Sequence, residues 1–277
     1  MALAPVDTRS FFRPLSRDIV ALLRTLPSDA WDRPTVAGGW RVRQVVAHLL
    51  DTALRRLSAD RDGEELRAPG RPITNEDLAA CINELNASWI RATERLSSRV
   101  LTDLYERAST DLAEFFERRS LDGPGRFAVS WAGESESTAW FDIGREFTEV
   151  WHHGAQIRDA VDAGPFAESR WLHAVLDIAL RVLPHAYRHT AARSREAFQF
   201  DITGPSGGRW LLEFETPGWT LRAGDAGEPR TTVTMTDETA WRLFFNALSP
   251  KAAESLVRLS GDVALGRPLL SARSVVL

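Results

Sequence analysis

Apolar residues recur at three- and four-residue spacing from Thr8 to about Thr190, the pattern of amphipathic helices. Stretches rich in glycine, proline and serine interrupt this pattern and separate six helical segments. A long connection that contains Trp31 and Trp40 joins the first two segments. The predicted helices cover residues 8–26, 42–59, 74–89, 101–116, 138–161 and 168–188. This part of the chain is therefore predicted to be all-helical.

After Ala191 the apolar period changes toward that of short strands separated by turns such as Pro-Ser-Gly-Gly. Strands are predicted at 198–202, 210–214, 219–222, 231–235 and 274–277, and helices at 237–248, 251–259 and 265–272. Arg, Ala, Ser and Glu replace the apolar rhythm near residues 190–196. We therefore predict a helical domain over residues 1–192 and a small α/β domain over residues 193–277.

The composition and the net charge of the chain disfavour several classes of function. The chain has 277 residues, 44% of them hydrophobic, and a formal net charge of −4, with no arginine-rich run. A slightly negative net charge without a basic cluster disfavours nucleic acid as a partner. No segment approaches the length of a membrane span, and the N-terminal residues lack a signal-peptide core. A single cysteine, Cys81, argues against a disulfide-stapled secreted scaffold, so a cytoplasmic location is expected.

Two residues of the fifth predicted helix could bind a metal ion. Glu149 and His153 are four residues apart and share one side of a helix. A helical wheel places His153 about 90° from the centre of the apolar face and His152 about 170° from it, so His153 is the better candidate. Glu146, near the same edge, could replace or support Glu149. An acidic residue four positions before a histidine is also common by chance, so a metal-free surface position or an interhelical hydrogen bond is the more frequent explanation of this spacing taken alone.

A third ligand would have to come from another helix, and periodicity does not identify it. His48 lies about 140° from the apolar centre of its own helix, and taken alone it is predicted to face solvent. The other histidines, His173, His185 and His189, are predicted to lie at the rim or to cap helices.

Two segments resemble a known family. Residues 31–51, WDRPTVAGGWRVRQVVAHLLD, and residues 149–160, EVWHHGAQIRDA, are similar to the metal-bearing segments of the mycothiol-dependent maleylpyruvate isomerase family, within the DinB-like superfamily. The stretches TTVTMTDETAWRLFFNAL and GDVALGRPLL resemble its small C-terminal α/β domain. The resemblance implies a DinB-like up-and-down helical bundle followed by that domain. Position by position, it implies metal ligands at His48, Glu149 and His153.

The resemblance also implies a cofactor and a cosubstrate. Two histidines and one carboxylate leave coordination positions open, as a catalytic Zn²⁺ requires, although iron or nickel suits the same ligands. Because Cys81 lies among predicted core positions, the reacting sulfur is expected from mycothiol or a similar low-molecular-weight thiol. The expected function is a metal- and thiol-dependent isomerase or S-transferase that acts on a small electrophile.

Further expectations concern the substrate and the alternatives. Arg242, in AWRLFFNAL, is the candidate to clamp a substrate carboxylate, although an ordinary surface arginine fits the same pattern. Asp51 could orient a ligand ring. A thiol-independent metal hydrolase and a non-catalytic small-molecule-binding protein remain alternatives. The sequence leaves open whether the protein is a monomer or a homodimer.

Overall fold

The N-terminal part of the protein is a helical bundle. The computed structural model describes residues 3–64 and 75–275. The bundle helices are α1 Arg9–Thr25, α2 Val42–Arg56, α3 Asn75–Thr93, α4 Ser98–Glu117, α5 Ala139–Ala160, α6 Ser169–Ala179 and the short α7 Leu183–Ala186. Helix α1 packs on α4 and α5, and α2 packs on α3, α4 and α5. The apolar stripes therefore meet in a common core, which confirms the predicted bundle.

Residues from 197 onward form a five-stranded mixed sheet with three short helices. The strands are β1 Ala197–Thr203, β2 Gly208–Glu215, β3 Gly218–Ala223, β4 Thr231–Thr236 and β5 Arg258–Gly261, in the order β3-β2-β1-β4-β5. Strands β1 and β4 are parallel, and the other pairs are antiparallel. The helices are α8 Asp237–Phe244, α9 Pro250–Leu256 and α10 Val263–Gly266.

Three predicted helices break or end earlier than expected. The helix predicted over 168–188 is interrupted by a 3₁₀ turn, Leu180–Val182, because Pro184 has no N–H to donate to the preceding turn. The helix predicted over 251–259 ends at Leu256, since Val257 is extended and Leu259 pairs with Val233 in the sheet. The helix predicted to reach 248 ends at Phe244.

The predicted strand at 274–277 is wrong where the structure describes it. Ser274 donates its backbone N–H to the Phe244 carbonyl and its hydroxyl to the Ala179 carbonyl. These bonds tie the chain end to α8 and α6 and leave it outside the sheet. The predicted N-cap Thr74 and the last two residues lie outside the described residues.

A buried ion pair fixes α2 against α5. Arg56 and Asp142 are both about 1% exposed, and Arg56 Nη2 lies 2.7 Å from Asp142 Oδ2. The Asp142 carboxylate also accepts the backbone N–H groups of Arg126 and Phe127. Because each charge has its partner, both can be buried at this depth. The pair aligns the two helices, which run antiparallel, about two turns from the candidate site.

The helices and the sheet share one hydrophobic core. Trp151 of α5 meets Trp241 of α8 edge to face, with ring centroids 5.6 Å apart. Tyr187 packs against Phe198 of β1 at 5.1 Å. Within residues 3–64 and 75–275, no helix has the length and hydropathy needed to span a membrane.

Candidate metal centre

Three side chains from α2 and α5 converge at one point. His48 Nε2 lies 3.0 Å from Glu149 Oε1, and His153 Nε2 lies 3.3 Å from the same oxygen. The two imidazole rings are 4.8 Å apart, centroid to centroid. One turn of α5 separates Glu149 from His153, whereas His48 arrives from the antiparallel helix. The structure thus brings together the three residues expected to bind metal.

The arrangement fits a divalent cation. Each of the three residues offers one ligand atom, and these atoms all lie within 4.8 Å of one another. Tetrahedral zinc with bonds near 2.1 Å places its ligand atoms about 3.4 Å apart. The two nitrogen–oxygen distances above are close to that spacing. Two imidazoles and one carboxylate also match the ligand preferences of zinc and of ferrous iron.

Burial and hydrogen bonding set the charges at this site. His48 is 5% exposed and His153 is 7% exposed. Desolvation by burial lowers the pKa of His48 and so favours the neutral ring that a metal requires. Burial opposes ionisation of Glu149, but the adjacent imidazoles of His153 and His48 outweigh it and hold the pKa of Glu149 well below its usual range. The site therefore combines an ionised carboxylate with a neutral His48 ring.

The burial of His48 contradicts its helical wheel. Nearly all faces of α2 are covered, because α3, α4 and α5 all pack on it. Trp40 covers the His48 ring as well, with centroids 5.1 Å apart, and stacks over the His153 ring at 6.3 Å. Trp40 itself is half-buried. It is therefore a wall of the site as well as a packing residue, whereas Trp31 and Trp151 are buried in the core.

His152 was expected to face away from the apolar side of α5, but it is only 3% exposed. Its ring stacks on Phe245 of the C-terminal part at 4.7 Å, and its Nδ1 lies 2.8 Å from the Thr148 carbonyl oxygen. Desolvation lowers the pKa of His152 to about 3. A helical wheel of α5 alone does not predict this burial, because the C-terminal part of the protein covers the side of α5 that lies opposite its apolar face.

Arg242 has partners outside the three-residue cluster. Its Nη2 lies 2.7 Å from Asp159 Oδ2 and 2.6 Å from Glu238 Oε1, and its guanidinium lies over the Trp241 ring. The residue thus joins α8 to the C-terminal end of α5, two turns beyond the metal-site histidine.

The other candidate residues also have structural partners. Asp51 pairs with Arg55 at 3.1 Å, and Glu146 pairs with Arg145 at 2.7 Å. Cys81, expected in the core, is half-buried. His173 lies within hydrogen-bond distance of the Ser206 carbonyl, and His185 and His189 lie beyond α6. None of these residues belongs to the cluster that His48, Glu149 and His153 form within the described chain.

Sequence reasoning missed one residue at this site. Gln156 is 2% exposed, and its Oε1 lies 2.7 Å from His153 Nδ1. The signal was present in EVWHHGAQIRDA, where Gln156 follows His153 by three residues and so lies on the same side of the helix. A polar amide on the buried side of a helix requires a hydrogen-bond partner, and the adjacent histidine offers one.

Comparisons with known proteins identify related folds. Residues 179–270 match the SCP-2 sterol transfer family. Two uncharacterized proteins of Mycobacterium tuberculosis, from two strains, are each 29% identical over 204 residues, which is 72% of this chain and 73% of theirs.

Two crystal structures share the fold over 93% of each chain with a TM-score of 0.55. They are the mycothiol-dependent maleylpyruvate isomerase, at 16% identity, and a histidine-to-alanine mutant of it, at 15%. The fold is therefore that of these structures, a helical bundle with an appended C-terminal domain. The model of the mycothiol maleylpyruvate isomerase N-terminal domain matches residues 12–158, more than half of the sequence. The chain belongs to this mycothiol maleylpyruvate isomerase family.

Proposed function

We propose that the protein is a metal-dependent enzyme that uses mycothiol or a similar low-molecular-weight thiol to isomerise a small electrophilic substrate, or to conjugate the thiol to it as an S-transferase. One observation carries the proposal: His48 Nε2 and His153 Nε2 converge on Glu149 Oε1 from two helices. Membership of the family supports the thiol, because the related enzyme of known structure is described as mycothiol-dependent.

The protein's own residues would prepare the site in three ways. His48, Glu149 and His153 would hold the divalent cation, with Zn²⁺ as the first candidate and positions left open for a ligand. Burial of both imidazoles would keep the centre dry, which strengthens electrostatic interactions there. Trp40, which lies over both rings, would restrict water on its side. When bound, the cation would lower the pKa of a thiol or polarise a carbonyl group.

The reaction class follows from a thiol that meets a conjugated electrophile. Its sulfur would add to one carbon of an activated double bond, the resulting single bond would rotate, and the same sulfur would leave to restore the double bond in the other geometry. Atoms and electrons balance without an oxidant or reductant. In the transferase variant of the proposal, the adduct would be the product.

Arg242 remains our proposed clamp for a substrate carboxylate, through bidentate hydrogen bonds. The guanidinium contacts Asp159 and Glu238, so a substrate carboxylate would exchange with one of these two. Replacement by lysine would then raise KM more than it lowers kcat, because lysine keeps the charge but loses the paired geometry.

The experiment compares metal content and activity in purified wild-type protein, His153→Ala and His173→Ala. The wild type and His173→Ala should contain about one divalent ion per chain, whereas His153→Ala should lose most of it because one of three ligands is gone. His173 is a suitable control because it is exposed on α6, outside the cluster.

The activity assay should use a cis enone dicarboxylate such as maleylpyruvate, with and without mycothiol. Turnover that needs both thiol and metal supports the proposal. Turnover of an amide or thioester without thiol would support a metal hydrolase in its place. Tight binding of a small molecule that survives chelation, with no turnover, would instead indicate a non-catalytic binding protein.

A further inference from the structure

We propose that Gln156 is a positioning residue that fixes His153 as a metal ligand through its Nδ1 atom. The inference rests on the metal-binding part of the proposed function. Gln156 Oε1 lies 2.7 Å from His153 Nδ1, and both side chains are buried, at 2% and 7% exposure. At this distance and depth, the amide oxygen is a hydrogen-bond acceptor that excludes water from that edge of the ring.

Gln156 determines which ring nitrogen of His153 carries the proton. An amide oxygen only accepts hydrogen bonds, so the facing Nδ1 must donate its N–H to it. A neutral imidazole has one N–H, which leaves the lone pair on Nε2. The Nε2 atom is the one that faces Glu149 Oε1 at 3.3 Å. The ring is therefore oriented, and its tautomer selected, for coordination at the point where the three ligands meet.

The same geometry explains why a cation belongs between His153 and Glu149. The ring has an acceptor oxygen at each end, Gln156 Oε1 at one and Glu149 Oε1 at the other. A neutral ring can donate a hydrogen bond to only one of them, so its lone pair would face a carboxylate oxygen. A divalent cation removes this conflict, because it attracts both the lone pair and the carboxylate.

His48 differs from His153 in this respect. Its Nδ1 is buried and has no hydrogen-bond partner among the residues that the structure describes. No acceptor in that part of the protein therefore holds a proton on His48 Nδ1, which leaves its Nε2 free to donate to Glu149 when no metal is present. We infer that His153 is the preorganised ligand and that His48 adjusts when the metal binds.

The test replaces Gln156 and measures binding of Zn²⁺ alone, by competition with a chelator, on folded protein. Gln156→Met keeps the volume of the side chain but removes the acceptor, and loss of such a partner weakens metal binding by about 10- to 100-fold. Gln156→Glu restores an acceptor oxygen and should bind Zn²⁺ within about threefold of the wild type, or more tightly. Gln199→Met is the matched control, since Gln199 is a buried, hydrogen-bonded glutamine on β1.

A second measurement reports on the tautomer directly. Long-range ¹H–¹⁵N spectra of the zinc-loaded wild type should show a proton on His153 Nδ1 with the downfield shift of a strong hydrogen bond, and Gln156→Met should lose that shift. The inference is overturned if Gln156→Met binds Zn²⁺ as tightly as the wild type, or if Gln156→Glu is as weak as Gln156→Met. A wild type that binds no Zn²⁺ would overturn the proposed metal site together with this inference.

Discussion

At the scale of single residues, the buried charge of Arg56 is held by several contacts at once. The Arg56 guanidinium contacts the rings of Phe116 and Phe127, 5.3 and 5.0 Å from their centroids, and pairs with Asp142 at 2.7 Å. Removal of one partner leaves the other charge buried with much less compensation, which costs far more than the loss of an exposed pair.

We therefore expect Arg56→Met to lower the free energy of unfolding by about 3–5 kcal/mol. Urea denaturation of the metal-free protein measures this free energy. Arg13→Met is the matched control, because Arg13 pairs with Glu117 at 3.1 Å on the surface and its loss should cost less than about 1 kcal/mol. Losses of similar size in the two variants would mean that the Arg56 pair does not hold the bundle as inferred.

The same pair predicts how stability depends on pH. Burial tends to raise the pKa of Asp142, but Arg56 and Arg145 outweigh it, so the folded-state pKa lies below the ordinary value of 3.8. A lowered pKa means that the ionised carboxylate stabilises the folded state above the unfolded pKa, and that this contribution disappears as pH falls through the folded pKa. Asp142→Asn should thus be less stable than the wild type at neutral pH, and the gap should narrow in urea titrations below about pH 4. A gap that stays constant with pH would contradict this assignment.

The sequence predicted some residues of the site and not others, for reasons that differ between residues. Helical spacing alone made Glu149 and His153 candidates, because one helix positions both, and the family resemblance was needed to favour them as ligands. His48 needed the family resemblance, since its wheel position indicated solvent and only the packing of three helices buries it. Gln156 was missed because its three-residue spacing from His153 indicates a contact only once that side of α5 is known to be buried.

At the scale of elements, the loop before α2 carries Trp40 to the site through a tight turn. Thr35 donates its backbone N–H to the Trp40 carbonyl at 2.8 Å, and Gly39 adopts φ +85° with no atom within 4 Å of the place that a Cβ would occupy. An alanine at this position would therefore meet no clash. Its cost would come from the left-handed backbone conformation alone.

We expect Gly39→Ala to loosen this loop while the bundle stays folded. The left-handed conformation costs a non-glycine residue about 1–2 kcal/mol, and a surface loop relieves such strain by opening locally. Exchange of the Thr35 amide proton with solvent should then accelerate about 5- to 30-fold, as hydrogen-exchange NMR would show. Gly123→Ala is the control, because that glycine also has open space but lies outside the left-handed region. Equal exchange in the wild type and Gly39→Ala would contradict this account of the loop.

Long periodic elements were predictable, and short ones were not. The bounds of α1, α5 and β1 to β4 follow the apolar patterns to within a few residues, since each element buries one well-defined side. The apolar pattern of the sequence assigned the start of strand β5 to the end of a helix. A strand of four residues is too short to show alternating apolar and polar positions, and the burial of its side chains hardly alternates. Its identity depends on pairing with β4, a contact that no local pattern encodes.

At the scale of the whole molecule, the helical and the sheet-containing parts are joined by apolar and polar contacts. Trp210 of β2 donates its indole N–H to Asp177 of α6 at 2.9 Å, and Ser274 donates its hydroxyl to the Ala179 carbonyl at 2.8 Å. With the Trp151–Trp241 contact, these bonds make the interface part of the common core. The sequence predicts a domain boundary at residue 192. Because the segments on its two sides share this core, we expect that they do not fold independently.

We therefore expect one cooperative unfolding transition for the whole chain. Domains linked by small polar interfaces unfold separately, whereas a shared apolar core couples them. Urea titrations followed by far-ultraviolet circular dichroism and by tryptophan fluorescence should coincide, and slow-exchanging amides in α4 and β1 should report the same opening free energy. Trp241→Ala removes a side chain that is 2% exposed at the interface and should lower the stability of both parts together, by about 3–5 kcal/mol. If this variant lowered the opening free energy of the amides in β1 but not of those in α4, the two parts would be independent folding units. The C-terminal part could then not hold His152 and α5 in place through shared stability.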